Sequence, residues 1–375
     1  MRIKQQGLLH DGPPGTNRAI GSFATITPLA DGGLLATYRV GSTKDSDDET
    51  VELRRSNDGG GTWSDPVTPF ASRIDGVVGS LKLVYLTPLP NGRLLAASMW
   101  VDRQAHPGQP LFNDATEGCL PMQVLIAESD DGGHNWSPWR IVPLPDDVGP
   151  PSLTNPALLL PSGRIALSIE TNKNYLDDSP WLQRVVYVES ADGGQTWGSP
   201  RTTCQDPTAR IFNWDQRAGV CPDGRLVTFT WTYDRQTTEY LNIQRRISAD
   251  EGQTWTEPED LGFADQAAHP AVFPDGRIVL AWVDRFGSRS IRARLATAVD
   301  AAFAADSEVV LYRLETESSA TAAGGGNTGN LLAEMGVWNF GLPYAAALPD
   351  GDALVTFYAG SAEAMQIHWA RLALV

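Results

Sequence analysis

The side chains of this 375-residue chain that could do chemistry fall in short clusters beside apolar strand patterns. Asn213-Trp214-Asp215-Gln216-Arg217 is the sharpest of them. A carboxylate between an aromatic ring and a guanidinium on an apolar strand is desolvated, and a desolvated carboxylate is paired or functional. Arg39 precedes an acidic loop holding Asp45, Asp47 and Asp48; Trp100 is followed by Asp102 and Arg103; Glu170 leads to Asn172 and Lys173. Further on come Trp231, Tyr233, Asp234 and Arg235, then His269 with Asp284, Arg285 and Arg289, and finally Trp338, Asn339, Tyr344 and Tyr358. Carboxylates in pairs can donate and accept protons or attack carbon, arginines can hold an acid by paired N–H donors, and rings offer stacking faces. Plainer roles compete: Asp47, Asp48 and Glu49 as a solvated loop, Arg54, Arg55, Arg245 and Arg246 as surface charges, His269 as a turn residue before Pro270.

The elements that must position these groups are hairpins. Six segments place a Gly-containing turn between two apolar strands: Leu29-Ala-Asp-Gly-Gly-Leu-Leu, Leu89-Pro-Asn-Gly-Arg-Leu-Leu, Leu160-Pro-Ser-Gly-Arg-Ile-Ala, Cys221-Pro-Asp-Gly-Arg-Leu-Val, Phe273-Pro-Asp-Gly-Arg-Ile-Val and Leu348-Pro-Asp-Gly-Asp-Ala-Leu. Glycine tolerates the positive φ of a tight hairpin turn. After four of them comes Ser-x-Asp-x-Gly-x-x-Trp or its equivalent, from Ser56 to Trp63, Ser129 to Trp136, Ser190 to Trp197 and Ser248 to Trp255. Asp58, Asp131, Asp192 and Asp250 suit turn backbone N–H groups, and the tryptophans suit packing between strands, so these are structural turns.

Repetition on this scale predicts one all-β domain over residues 1–375, a six-bladed β-propeller. Its fifth and sixth blades lack the Ser-x-Asp box; residues 296–303 occupy its place in the fifth, and 322–330 form a Gly-rich loop. The sixth blade has room for three strands, and residues 4–10 are expected to supply the fourth, closing the ring and covering an edge. In such a meander the starts of the inner strands and the loops after the second strands share one end, opposite the Gly turns. That end carries the clusters above and is the expected binding face.

Composition narrows the partners. With 42% hydrophobic and 20% charged residues the chain is globular, and its net charge of -16 disfavours nucleic acid and anionic membranes. Three cysteines, Cys119, Cys204 and Cys221, cannot all pair and show no metal-ligand spacing. No metal or cofactor is expected, and the first residues lack an export-signal pattern, which makes the cytoplasm the default expectation.

The Ser-x-Asp-x-Gly-x-x-Trp boxes are the Asp-box, and with the six hairpins the chain resembles the sialidase (neuraminidase) superfamily over nearly its whole length. The resemblance implies a six-bladed propeller, an acid/base Asp, a Tyr nucleophile with a carboxylate partner, and three arginines on the sugar carboxylate. Arg39 and Asp45 are similar in place to the family's first-blade Arg and acid/base Asp. Tyr344, in Gly341-Leu342-Pro343-Tyr344, matches the nucleophile, and Asp215 stands where its glutamate partner is expected; Arg235 and Arg289 match the later arginines. The family's first arginine, in a Phe-Arg-Ile-Pro motif, has no counterpart, since this chain has Gly21-Ser22-Phe23-Ala24. Its supporting glutamate is also absent, because Ala359 and Gly360 follow Tyr358.

Without that clamp, Trp100, Asp102, Trp214, Trp231, Asp234 and Asp284 read as a sugar site of stacking rings and hydroxyl-binding carboxylates. The expected function is a glycoside hydrolase acting on a terminal sugar, sialic or a related acid being one option, with Asp45, Asp215 and Tyr344 catalytic. Arg39, Trp100, Asp102, Arg103, Lys173, Trp214, Arg235, Asp284, Arg285 and Arg289 are the expected substrate-binding residues. A second version pairs Asp215 with Asp45 or Asp102 as two carboxylates. The alternatives are a polysaccharide lyase using His269 and Tyr344 with the nearby arginines, and a non-catalytic carbohydrate- or protein-binding propeller.

Overall fold

The structure, a computed structural model, describes residues 1–315, 336 and 338–374; the Gly-rich stretch 322–330 lies outside the described residues. The chain is all-β and folds as consecutive antiparallel meanders in five sheets. Four are separate. The fifth is seven-stranded and joins two meanders, one from each end of the chain, through a single parallel pairing of Ile20 with Met365. The N-terminal strand Arg2–His10 lies antiparallel on Met365–Ala373, from Arg2 opposite Ala373 to His10 opposite Ile367.

The turn chemistry explains the repetition. Gly32, Gly92, Gly163, Gly224, Gly276 and Gly351 all have φ between 76° and 87°. At the first turn the Gly32 N–H donates to Leu29 O and the Leu29 N–H to Gly33 O, a type I turn followed by a left-handed glycine. At the same end as the Gly turns, with Ser56 opposite Leu34, Ser129 opposite Leu94, Ser190 opposite Ile165 and Ser248 opposite Leu226, four Ser-x-Asp turns close on themselves. Asp58 Oδ1 accepts from the Thr62 N–H at 2.9 Å and from Ser56 Oγ at 2.8 Å, and Asp131, Asp192 and Asp250 repeat the pattern.

Neighbouring meanders are stapled by a recurring arginine that reaches a carbonyl in the next meander's turn. Arg371 donates to Gly59 O, Arg55 to Gly132 O, Arg140 to Gly194 O and Arg201 to Glu251 O, at 2.8 to 3.2 Å. Arg245, expected as a surface charge, is the fifth of these and is buried. Its Nη1 donates to Val299 O and Ala301 O, and Glu259 pairs with it at 2.7 Å. The turn it holds stands where other meanders have a Ser-x-Asp box, and the buried guanidinium satisfies three of its carbonyls.

Candidate functional site

The inner strands of four meanders each carry one extra residue, and each extra residue lines the same cavity. Register shifts fall between Ser22 and Thr25, Leu81 and Leu83, Trp214 and Arg217, and Gly341 and Tyr344. Phe23, Lys82, Asp215 and Leu342 sit in those bulges and all border a cavity of about 430 Å³. A β-bulge interrupts the alternation of side chains and re-aims one of them. Three of the four residues take left-handed backbone, Phe23 at φ 52°, Asp215 at 49° and Leu342 at 46°, a conformation that side-chain-bearing residues keep only when their surroundings impose it.

Two carboxyl groups meet at the Asp215 bulge. The Asp215 N–H donates to Glu170 Oε1, on the strand Ile165–Glu170 of the preceding sheet. Burial, reinforced by the Asp215 charge, pushes the Glu170 carboxyl up to about 8, so it holds its proton at neutral pH. Asp215 Oδ1 pairs with Arg217 Nη2 at 2.6 Å, while its buried Oδ2 has no hydrogen-bond partner among the described residues. Arg217 is fixed from behind by donating to the Tyr85 hydroxyl, which burial pushes up to about 12. Around this pair stand Trp181, Trp214, Trp231 and Trp338 on one side and Leu83, Met99, Met122 and Leu153 on another.

A cationic cluster borders the same cavity but is occupied. Glu49, fully buried, takes Arg39 at 3.1 Å, Lys82 at 2.7 Å and Arg103 at 3.2 Å. Asp45 takes Lys82 at 2.8 Å and Arg103 at 2.6 Å through Oδ1, and its Oδ2 accepts the Leu111 N–H at 2.7 Å. Leu111 belongs to a strap, residues 103–121, that brings Pro110, Leu111, Phe112 and Asp114 to the cavity. The strap's far end is tied to neighbouring sheets: Asn113 Nδ2 and Thr116 Oγ1 donate to Tyr175 O, the Cys119 N–H to Lys173 O, and Glu117 pairs with Arg235 at 2.9 Å.

Solved structures resemble this chain along its whole length. A protein of unknown function from Dyadobacter fermentans matches with a TM-score of 0.73 at 20% identity, covering 99% of this chain and 98% of that one. The intramolecular trans-sialidase of Ruminococcus gnavus matches at 0.67 and 13% identity, over 100% and 98% of the two chains. The NanB sialidase of Streptococcus pneumoniae gives 0.67 and 12%, over 98% of this chain and 70% of that one. The fold is sialidase-like. No protein-family model and no curated protein matches the chain. At such identities the likeness establishes the fold alone, and the chemistry has to come from the cavity.

Against the sialidase-like expectation, Asp45 and Asp215 do share the cavity, and Tyr344 is not among its lining residues. Tyr344 is buried with its ring stacked on His269 at 3.8 Å; burial drives its hydroxyl pKa up, Tyr85 adds to this, and Arg217 offsets only part. A phenol so placed resists giving up its proton. Asp45 differs from an acid/base for the opposite reason. Burial alone would raise its carboxyl, but Lys82 and Arg103 hold it well below the carboxylate range, so it has no proton to give.

Of the expected sugar-binding residues, Arg39 and Trp214 line the cavity and eight do not. Trp100 faces the outer cluster with Leu81 and Leu125 and donates Nε1 to Ser72 O at 2.7 Å, because it alternates with the cavity-facing Met99. Asp102 caps the Gln104 and Ala105 N–H groups, and Arg103 is taken up by Asp45 and Glu49. Lys173 donates to Ser179 O, and Arg235 is held by Glu117 over the Phe212 ring. Asp284 caps Gly287 and Ser288; Arg285 is buried between the Trp338 and Phe340 rings; the Arg289 carbonyl accepts the Leu314 N–H. Their sheet supplies none of the described lining residues, and His269, buried with its imidazole pushed well below the usual value by burial and then by Arg217, lines none of it either. Sequence reasoning noted Glu170 without selecting it, read Glu49 as part of a solvated loop although it is buried, and passed over Lys44 and Lys82.

Proposed function

We propose that this chain is a glycoside hydrolase that removes a terminal sugar, with Glu170 as proton donor and Asp215 as nucleophile. The observation that carries this is the Glu170 carboxyl, raised to about 8 beside a second carboxylate in a cavity of monosaccharide size. Environments that push two adjacent carboxyl groups apart in acidity assign the acid and its partner. Glu170 gives its proton to the glycosidic oxygen as the bond to the anomeric carbon breaks, and Asp215 Oδ2, which has no hydrogen-bond partner among the described residues, attacks that carbon. Glu170, then ionised, takes a proton from the water that releases the sugar. With Asp215 as nucleophile the sugar is released with its configuration retained.

The frame for this chemistry is one domain, a six-bladed propeller closed by the N-terminal strand. The six Gly turns, the arginine staples running from meander to meander, and the pairing of Arg2–His10 with Met365–Ala373 support it. Carbohydrate is the partner. A panel of aryl glycosides assayed with the parent, Glu170→Gln and Asp215→Asn tests the function. Turnover by the parent that falls at least a hundredfold in both variants, with the first-formed sugar retaining its anomeric configuration by NMR, is the expected result. Sugar binding that is equal in all three with no turnover makes the chain a binding propeller instead.

A further inference from the structure

Building on the hydrolase reading of this cavity, we propose that the terminal sugar is neutral and carries an apolar substituent, in its simplest form a 6-deoxyhexose, with Phe23 and Leu342 as the specificity-determining side chains. Both are bulge residues in left-handed backbone. Bulky side chains rarely occupy that region, so two of them presented there to one cavity mark positions whose aim is imposed by the fold. Both pack against the one apolar cluster that also brings Leu83 and Met99 to the cavity. A hydroxyl directed at them meets carbon, whereas a methyl leaves water for a matching surface.

The charge beside Phe23 points the same way. The Arg39 guanidinium lies 4.9 Å from the Phe23 ring centroid, with Nη1 on Glu49 at 3.1 Å and Nη2 on Lys44 O at 3.1 Å. Lys82 is shared between Asp45 and Glu49. Four cations line the cavity, and a substrate carboxylate would have to compete with the buried Glu49 for Arg39 and Lys82, with Asp215 for Arg217 and with the Trp338 carbonyl for Lys44, so an acidic sugar is disfavoured. On the aromatic side Trp231 Nε1 is buried without a partner among the described residues, a donor suited to one ring hydroxyl. Such a site wants a sugar with an apolar end and hydroxyls elsewhere.

The test compares p-nitrophenyl 6-deoxyhexosides with their hydroxymethyl parents, the matching hexuronides and a sialoside, both anomers of each where they exist. A 6-deoxyhexoside is expected to exceed its hydroxymethyl parent in kcat/KM by about 10- to 100-fold, the discrimination an apolar wall achieves against an added hydroxyl. Phe23→Asn and Leu342→Asn, whose new residue accepts positive φ, are expected to shrink that ratio to within about threefold. Preference for a hexoside, hexuronide or sialoside overturns the proposal and leaves the hydrolase reading standing. If no glycoside turns over, titration of the free sugars against tryptophan fluorescence decides. Tighter binding of the 6-deoxyhexose than of hexose or uronate keeps the substrate class and sinks only the hydrolase reading; equal or absent binding sinks both.

Discussion

Glu170 accepts the backbone N–H of Asp215, so the carboxyl that holds a proton and the carboxylate paired with Arg217 are joined through the bulge that aims one of them. Burial and then the Asp215 charge hold the proton on Glu170. Glu170→Gln keeps the size of the side chain and removes its proton-donating function. Its kcat is expected to fall by about 10²- to 10⁴-fold on glycosides with poor leaving groups and far less on dinitrophenyl glycosides, which depart without protonation. In the parent, kcat/KM is expected to fall as pH rises through about 8, where Glu170 ionises. A steady-state pH series on both leaving groups checks this, and an unchanged alkaline limb in Glu170→Gln contradicts it.

The same ionisation bears on stability. In the unfolded chain a glutamate titrates near its ordinary value of about 4.3, while in the fold Glu170 keeps its proton up to about 8. Between those values the folded state binds more protons than the unfolded state, so stability falls as pH rises, with the loss complete above about 8. The cost reaches about 4–5 kcal/mol at pH 8 and is small below pH 4. Glu170→Gln is therefore expected to flatten the dependence of Tm on pH between 5 and 8 and to melt above the parent at pH 8. Calorimetry across that range measures it.

Much of the frame was legible because its signals are local. A glycine at positive φ and an Asp beside turn N–H groups act within a few residues, so six Gly turns and four Ser-x-Asp turns announce the meanders directly. Asp215 was legible for a similar reason, its neighbours Trp214 and Arg217 being adjacent in sequence. Glu170 was not, since its acidity is set by burial in the assembled fold and by a residue 45 positions away. Nor were the bulges, because one extra residue in a strand leaves the period-two pattern on either side intact, and Lys82 was passed over. Arg235 misled because the strap residue that engages it, Glu117, comes from another sheet, and Lys173 because its ammonium turns back to Ser179 O.

That strap gives Asp45 a role other than proton transfer. Its Oδ1 joins Lys82 and Arg103, and its Oδ2 holds the Leu111 N–H at the cavity edge. Asp45→Asn is expected to raise KM about tenfold, hasten protease cleavage within 103–121, and leave the limb near pH 8 where it was. Glu49 still pairs with both Lys82 and Arg103 and Asp45 is partly exposed, so the loss of stability is held to ~1–2 kcal/mol. Movement of the pH limb in this variant would instead make Asp45 the acid.

Tyr344→Phe separates the carboxyl pair from a tyrosine nucleophile. For a phenol to attack at neutral pH a neighbouring carboxylate must take its proton. The influences on Tyr344 run the other way: burial and Tyr85 raise its pKa, Arg217 lowers it only in part, and its ring is stacked on the neutral His269. Asp215, the carboxylate that would serve, is already engaged by Arg217 through Oδ1. Removing the hydroxyl leaves the stacked ring in place, so kcat is expected to stay within about threefold of the parent, because the hydroxyl takes no part in bond making. A loss of a hundredfold or more, with trapping of a 2-fluoro glycosyl group on Tyr344 in the parent, returns the nucleophile to the tyrosine. Trapping on Asp215, read by peptide mass spectrometry, keeps it with the carboxylate that the bulge points into the cavity.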